Sequence, residues 1–332
     1  MVKKLCRLLL AVALGVGSVM GKAEEKKGQP VYTDPAKTDE DFPFQGEYTG
    51  TVDGGRFGIQ VVALGKGKFD AVLCPGGLPG EGWDKKKNPR DKVPGTREGR
   101  TGTFAGQALG GNLADGTFTV MGDGKVRGTL AKVVRQSPTM GAVAPDGAVV
   151  LFDVARAEET VKNFKGGQLN EQRHLKAGVL SNQTFGSGHL HVEFLLPYMP
   201  EARGQGRGNS GCYLQGRYEV QMLDSFGLTG ENNECGGIYT IAKPLENLCY
   251  PPLSWQTYDI DFTAATYVDG KMTVRPKVTV RHNGVVVQDQ VELTHSTTAS
   301  PLKEGPEPGP LHLQNHGNPV CYRNIWFVEK KD

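Results

Sequence analysis

Gly188-His189-Leu190-His191-Val192-Glu193-Phe194 alternates polar and apolar side chains with a period of two. A β-strand sends successive side chains to opposite faces, so Leu190, Val192 and Phe194 share one face and His189, His191 and Glu193 the other. The apolar face suits a sheet-on-sheet core; the polar face must meet solvent or a site. Two further runs read the same way. In Tyr213–Gln221 (YLQGRYEVQ) the odd positions Tyr213, Gln215, Arg217, Glu219 and Gln221 fall together, backed by a second acid at Asp224. In Leu311–Asn318 (LHLQNHGN) His312, Gln314 and His316 align, with His316 at a strand end beside Gly317 and two asparagines, Asn315 and Asn318. Asn209-Ser210-Gly211 reads as a turn entering the Gln215 strand, with hydroxyl-binding groups to offer or simply as a turn. Such faces carry the amides, carboxylates and aromatics that read sugar hydroxyls and rings. They equally describe a solvated sheet face with cross-strand ion pairs, and both readings stay open.

Outward from these strands, the chain reads as all-β. Its 332 residues leave room for two domains, and its 46 glycines and 20 prolines show no G-X-Y period, which excludes collagen. A mean hydropathy of -0.38 excludes a multi-span membrane protein. A formal charge of +2 gives no sign of a nucleic-acid binder. From Phe44 to Asp153, short apolar runs alternate with glycine turns; this stretch holds 23 of the 46 glycines and none of the seven histidines. It is expected to be a small all-β domain, barrel or sandwich, with no catalytic cluster. Its Trp83–Lys87 loop offers a binding edge or a solvated turn. Residues 154–168 read as a connector with a short helix, and 169–330 as a second β-rich domain.

The N-terminus has the order of a secretory signal: Lys3, Lys4 and Arg7, an apolar run from Leu8 to Val19, then small residues at Gly21 and Ala23. Residues 1–21 are therefore expected to be a signal peptide, whose removal turns the formal +2 into −1. Residues 22–43, charged and proline-containing, read as a flexible leader. The expected product is periplasmic or extracellular, with no membrane span once the signal is cleaved. Export makes disulfides plausible among Cys74, Cys212, Cys235, Cys249 and Cys321. Cys235 with Cys249 and Cys212 with Cys321 are the candidate pairs, Cys74 staying free, although sequence does not determine connectivity.

The segments GRGNSGCYLQGRYEVQMLDSFG, NECGGIY, PPLSWQTYDIDF, VRHNGV and GPLHLQNHGNPVCYRNIW together resemble the successive signatures of the 3-keto-disaccharide hydrolase family, over about residues 169–330. The resemblance implies a concanavalin A-like jelly-roll sandwich whose concave face holds a sugar. It implies cleavage of glycosides already oxidised to a ketone at carbon 3. Glycosidases of this fold carry E-x-D-x-x-E on one strand, whereas here the stretch from Glu219 to Asp224 has Gln221 at the middle acid. The usual pair of carboxylates is thereby in doubt. Cys212 and Cys321 also depart from the family pattern, which has aliphatic residues or, at the second position, often arginine.

A 3-keto sugar explains why one carboxylate suffices. The ketone acidifies the hydrogen on carbon 2; a base removes it, the enolate expels the aglycone from carbon 1, and water adds back. Such chemistry needs a base, an oxyanion stabiliser and an acid for the leaving group. The expected base is Glu219 or His316, with Glu193 as acid or second carboxylate. Arg217 and Gln215 are expected to stabilise the enolate or bind hydroxyls, with Asn209, Ser210, Gln221, Asp224, Gln314 and Asn318 as further substrate-binding groups. No organic cofactor is implied; a divalent metal on His189 and His191 is an open expectation. The expected partners are the carbohydrate substrate and an upstream sugar 3-dehydrogenase, with no nucleic acid. The rival reading is a non-catalytic, lectin-like module using aromatics such as Trp255 and Tyr258. Trp255 and Trp326 read equally as core.

Overall fold

The computed structural model describes residues 28–88 and 90–330, so the signal-peptide reading of residues 1–21 lies outside the described residues. Two β-structures follow one another. Strands β1 (Gly46–Val52), β2 (Gly55–Gly65), β3 (Lys68–Pro75), β4 (Asp91–Glu98), β5 (Thr101–Phe104), β6 (Gly110–Ala114), β7 (Thr117–Gly122) and β8 (Lys125–Val133) close in chain order into an antiparallel barrel. Three of its hairpins turn on Asp-Gly pairs, Asp53-Gly54, Asp115-Gly116 and Asp123-Gly124, with positive φ at both residues. That backbone matches the twist of the flanking strands and favours this dipeptide. Tyr48, Phe69, Phe104 and Phe118 fill the interior.

The second structure is a sandwich. One sheet has the order β10 (Phe164–Lys165), β12 (Val179–Phe185), β21 (Gly309–Leu313), β14 (Asn209–Leu214) and β15 (Tyr218–Leu223). The other runs β11 (Leu175–Lys176), β22 (Cys321–Glu329), β13 (Gly188–Leu195), β16 (Trp255–Thr263), β19 (Lys277–His282) and β20 (Val285–Glu292), with β9 (Val149–Phe152) also paired to β22; β17 (Thr266–Val268) and β18 (Lys271–Val274) pair as a separate hairpin. Alternation works as expected. Leu190, Val192 and Phe194 from one sheet meet Cys212, Leu214, Val220, Leu311 and Leu313 from the other in a single core. The molecule is all-β, and among the described residues no helix is long and apolar enough to cross a membrane.

The structure corrects several expectations. The described part of the leader, residues 28–43, is ordered against the barrel: Tyr32 pairs its backbone with Tyr198, and Phe42 packs on the barrel core. Asp41 accepts the Gly67 amide at 2.8 Å and the Arg97 Nε at 2.9 Å. Charge composition hid these anchors. The 149–152 run does not belong to the first domain; it pairs with β22 in the sandwich, a partner local alternation cannot reveal. The connector holds one helical turn, Ala157–Thr160, flanked by 3-10 turns.

Tyr213–Gln221 is a hairpin rather than one strand. Gln215 and Gly216 have φ of 50° and 62°, and the Arg217 amide closes the turn on the Leu214 carbonyl at 3.0 Å. Asn209-Ser210-Gly211 is the opening half of β14, not a turn.

The expected disulfides do not form: all five described cysteines are free and buried. Cys212 lies in the sandwich core. Cys321 precedes the inward-facing Tyr322 on β22, so it points to the other side of its sheet, with its Sγ 3.9 Å from His174 Nδ1. The Cys235 and Cys249 thiols touch within the core and stay unbridged.

Candidate active site

In the β14–β15 hairpin Tyr213 stands directly opposite Glu219, and Gly211 opposite Gln221. Cys212, Leu214, Val220 and Met222 point into the core, which leaves Tyr213, Glu219 and Gln221 on the outer face of the five-stranded sheet. The grouping expected from odd positions therefore holds for these three, through cross-strand pairing. Tyr213 Oη donates to Glu219 Oε2 at 2.8 Å or to the Thr298 carbonyl at 3.0 Å, and accepts from Gln314 Nε2 at 3.1 Å. The hydroxyl has one proton, so the two acceptors compete for it.

The Glu219 carboxylate lies across Gly211: a β-carbon there would sit 2.1 Å from Glu219 Oε1. Glycine at 211 is thus a condition for the carboxylate's position. Burial raises the Glu219 pKa to about 7, against the lowering effect of the Tyr213 hydrogen bond. Burial also keeps Tyr213 protonated by pushing its own pKa up.

His312 pairs with Tyr213 across β21 and β14, its ring centroid 5.2 Å from the tyrosine ring. Its Nδ1 lies 3.1 Å from the Val179 carbonyl, which can only accept. The proton therefore sits on Nδ1 and the Nε2 lone pair is free. Burial holds this histidine below its usual pKa, in the neutral form. Beside Gln221, Asn209 donates to Gln205 Oε1 at 3.2 Å, and Gln221 Nε2 donates to the same oxygen at 3.3 Å.

Glu193 is elsewhere. It belongs to the outer face of the seven-stranded sheet, with the whole sandwich between it and Glu219; packed sheets alone stand about 10 Å apart. The segment between the barrel and β9 lies over that face: Gly141 N donates to Glu193 Oε1 at 2.7 Å, and Thr139 Oγ1 to Asp259 Oδ2 at 2.6 Å. Arg323 Nε (2.7 Å) and Asn324 Nδ2 (2.8 Å) complete the carboxylate's shell. Burial alone would raise its pKa, but hydrogen bonds from His191, Asn324, Arg323 and Gly141 outweigh burial and hold it at about 2. A group that acidic and enclosed is no general acid, which corrects the expectation for Glu193.

The histidines beside it are committed too. His191, fully buried, places Nδ1 2.7 Å from Asp259 and Nε2 3.5 Å from Glu193, and stacks on Trp326 at 5.0 Å. His189 Nδ1 binds Asp261 at 2.7 Å. Among the described residues no group of three His, Cys, Asp or Glu side chains is arranged to hold a metal ion; the Nδ1 atoms of His189 and His191 are taken by Asp261 and Asp259.

Other expected site residues serve the scaffold. Gln215 Nε2 donates to the Phe185 carbonyl at 3.0 Å; Arg217 holds the carbonyls of Lys303 (2.7 Å) and Glu307 (3.0 Å). Both sit in the hairpin turn, where that loop consumes their polar groups. Asp224 is a buried ion-pair partner of Arg207 at 3.1 Å. Ser210 points inward, its hydroxyl donating to the Gln314 carbonyl at 2.7 Å and meeting the Tyr322 hydroxyl. His316 is exposed in the loop after β21, and among the described residues no hydrogen bond joins it to Glu219. Asn318 Nδ2 contacts Met199 Sδ at 3.4 Å. Asn209, Glu219, Gln221 and Gln314 remain together.

Sequence reasoning placed Tyr213 and His312 on the polar faces without giving them a role, and missed Gly211 and Gln205 as site residues. Period-two alignment with Gln314 was a usable signal for His312; Gln205 lies in a loop and had none. Of the aromatics the lectin-like reading uses, Tyr258 is buried and Trp255 is half-buried, with the Arg323 guanidinium 4.1 Å from its ring centre; Trp326 is buried, as a core residue would be.

A buried carboxylate of near-neutral pKa on the outer face of a jelly-roll sheet is a group suited to acid–base chemistry. The family of 3-keto-alpha-glucoside-1,2-lyase-like domains matches residues 117–328, and the chain belongs to that family. Among solved structures, a candidate glycosyl hydrolase from Parabacteroides distasonis ATCC 8503 is 31% identical, with a TM-score of 0.50 over 56% of this chain and 85% of its own. A second structure of the same description and organism is 17% identical, with a TM-score of 0.39 over 55% of this chain and 99% of its own. No curated protein sequence matches the chain. Family and relative together place the chain among glycoside-acting enzymes.

Proposed function

We propose that the protein cleaves glycosides carrying a ketone at carbon 3, by proton abstraction at carbon 2, elimination of the aglycone from carbon 1 and rehydration. The observation that carries this reading is a buried carboxylate poised as a base. Glu219 has its pKa at about 7, and neither Glu193 nor Asp224 shares its face. Hydrolysis of an unoxidised glycoside ordinarily uses two carboxylates flanking the bond; enolisation needs one base matched to neutral pH.

Tyr213 supplies the partner step. When Glu219 takes the carbon-2 proton it ceases to need the tyrosine's hydrogen bond, and the Tyr213 O–H is released to donate to the developing enolate. The departing aglycone oxygen takes its proton from solvent water; His312, with its free Nε2, can accept a proton from the water that adds back at carbon 1, and Glu219, its proton exchanged with solvent, returns one to carbon 2. A substrate of this kind must be made by oxidation of a glycoside at carbon 3, so a sugar 3-dehydrogenase acts before this enzyme. Export through the N-terminal signal places the reaction in the periplasm or outside the cell.

The test is turnover of a chromogenic 3-keto-glucoside beside its unoxidised parent, with and without a chelator. Cleavage of the keto compound alone supports the proposal, and loss of that cleavage with chelator would add a metal to it. No cleavage of either by folded protein would overturn it in favour of a carbohydrate-binding module.

A further inference from the structure

The loop between β13 and β14 carries Gln205 to the site, and the barrel holds that loop at several points. Tyr198 packs into the barrel's apolar cluster, stacked on Tyr32 at 5.6 Å and edge-on to Phe42 at 5.0 Å. Its hydroxyl donates to Asp39 at 3.0 Å, and two backbone hydrogen bonds of 2.9 Å join it to Tyr32. Arg203 Nη2 donates to the Leu64 carbonyl at 2.8 Å, and Arg207 Nη2 to the Ala63 carbonyl at 2.9 Å. Both acceptors lie at the end of β2. Arg207 also pairs with Asp224, just past the end of the strand that bears Glu219.

Between these anchors Gln205 is only partly buried. Its Nε2 donates to the Asn233 carbonyl at 2.7 Å, while its Oε1 accepts from both Asn209 and Gln221. Three amides from three segments thus converge on the face that holds Glu219, with Gln221 two residues along the same strand, about 7 Å away. Asn209 is 1% exposed, and its Oδ1 has no hydrogen-bond partner. A buried acceptor without a donor is a costly arrangement, and a hydroxyl O–H would satisfy it. Amides present donor and acceptor together, which suits hydroxyls on a pyranose ring.

We propose that Gln205, Asn209 and Gln221 form a subsite for the pyranose hydroxyls of the substrate, and that the N-terminal barrel completes the enzyme by clamping the Gln205 loop in place. The inference rests on the activity proposed above and gives the barrel a task inside the catalytic unit.

The experiment compares full-length Gln205→Ala and Arg203→Ala with the parent protein on a 3-keto-disaccharide. Arg203 is exposed, so its truncation spares the core. Gln205→Ala is expected to raise KM about tenfold, the scale of one lost hydrogen bond, with kcat and the pH midpoint unchanged. Arg203→Ala is expected to raise KM about threefold, a fraction of one hydrogen bond. An unchanged KM in Gln205→Ala, or a parallel fall of kcat and thermal midpoint, would overturn the subsite. An unchanged KM in Arg203→Ala would overturn the clamp. Should the parent protein turn over no 3-keto-glycoside, the proposed activity fails separately, and calorimetry with maltose and trehalose tests the subsite. Binding weakened about tenfold in Gln205→Ala supports it, and no binding to the parent overturns it.

Discussion

The two outer faces of the sandwich each bury a glutamate, and the two carboxylates are opposites. Glu193 receives hydrogen bonds from an arginine, an asparagine and a backbone amide and lies against His191. Glu219 receives one, from a tyrosine hydroxyl, and among the described residues no cation pairs with it. Burial pushes both pKa values up; only in Glu193 do the partners overcome it. Equal depth therefore yields a permanent anion on one face and a base that titrates near neutrality on the other. The first serves the scaffold by fastening the segment that joins the barrel to the sandwich. The second is held at a cost in stability, a pattern expected of functional groups.

The sharpest way to break this contrast is to neutralise each glutamate in turn. Glu219→Gln is expected to lower turnover of a 3-keto-glycoside by at least about a thousandfold, the upper range for losing a positioned base. The same change is expected to raise stability at pH 8. Its folded pKa of about 7 lies above the ordinary 4.5, so ionising the group opposes folding. That penalty is absent below pH 4.5, grows as pH rises, and is complete above about pH 7, at about 3 kcal/mol. Chemical denaturation at pH 5 and pH 8 measures it.

Glu193→Gln should do the reverse. Removing one partner of a buried, hydrogen-bonded charge cluster is expected to cost about 3–5 kcal/mol, leaving kcat of the remaining folded enzyme within about twofold of the parent, as for a group outside the site. In the parent protein the Glu193 contribution is present above pH 4.5 and lost as pH falls towards about 2, which acid unfolding of the two proteins would show as converging stabilities.

Gly211→Ala sharpens the comparison from the side of geometry. The added methyl must displace the Glu219 carboxylate, and kcat is expected to fall about a hundredfold, as for a reacting group misplaced by about 1 Å. Circular dichroism checks that the fold persists. Tyr213→Phe is expected to lower kcat by a similar factor, about a hundredfold, through loss of the enolate's donor. The Tyr213 hydrogen bond also lowers the Glu219 pKa, so its loss should move the rising limb of the kcat/KM–pH profile from about 7 to higher pH, by about one unit.

The same contrast marks how far the sequence could be read. Alternation in GHLHVEF identified a strand with one core face, and the structure has it in β13. Alternation says which side chains share a face of one strand and nothing about which sheet that strand joins. Glu193 and Glu219 were grouped for that reason, and they lie on opposite sides of the sandwich. Gly216 was the available warning that Tyr213–Gln221 bends; Gln215, also at positive φ, gave none, because a glutamine rarely adopts that backbone. The ordered motifs from Gly206 to Trp326 carried the family. Gln205 and the Gly141 contact depend on loops fastened by distant residues, and no local pattern encodes them.

The central claim is that Glu219 removes the hydrogen at carbon 2. Its most direct test is cleavage of a 3-keto-glucoside in deuterated water by the parent protein and Glu219→Gln, with the released sugar examined by NMR. The account expects deuterium at carbon 2 of the product, a primary isotope effect when carbon 2 carries deuterium at the start, and neither exchange nor cleavage in the variant. Cleavage by the parent with no deuterium at carbon 2 and no isotope effect would contradict it, as would exchange that persists in Glu219→Gln.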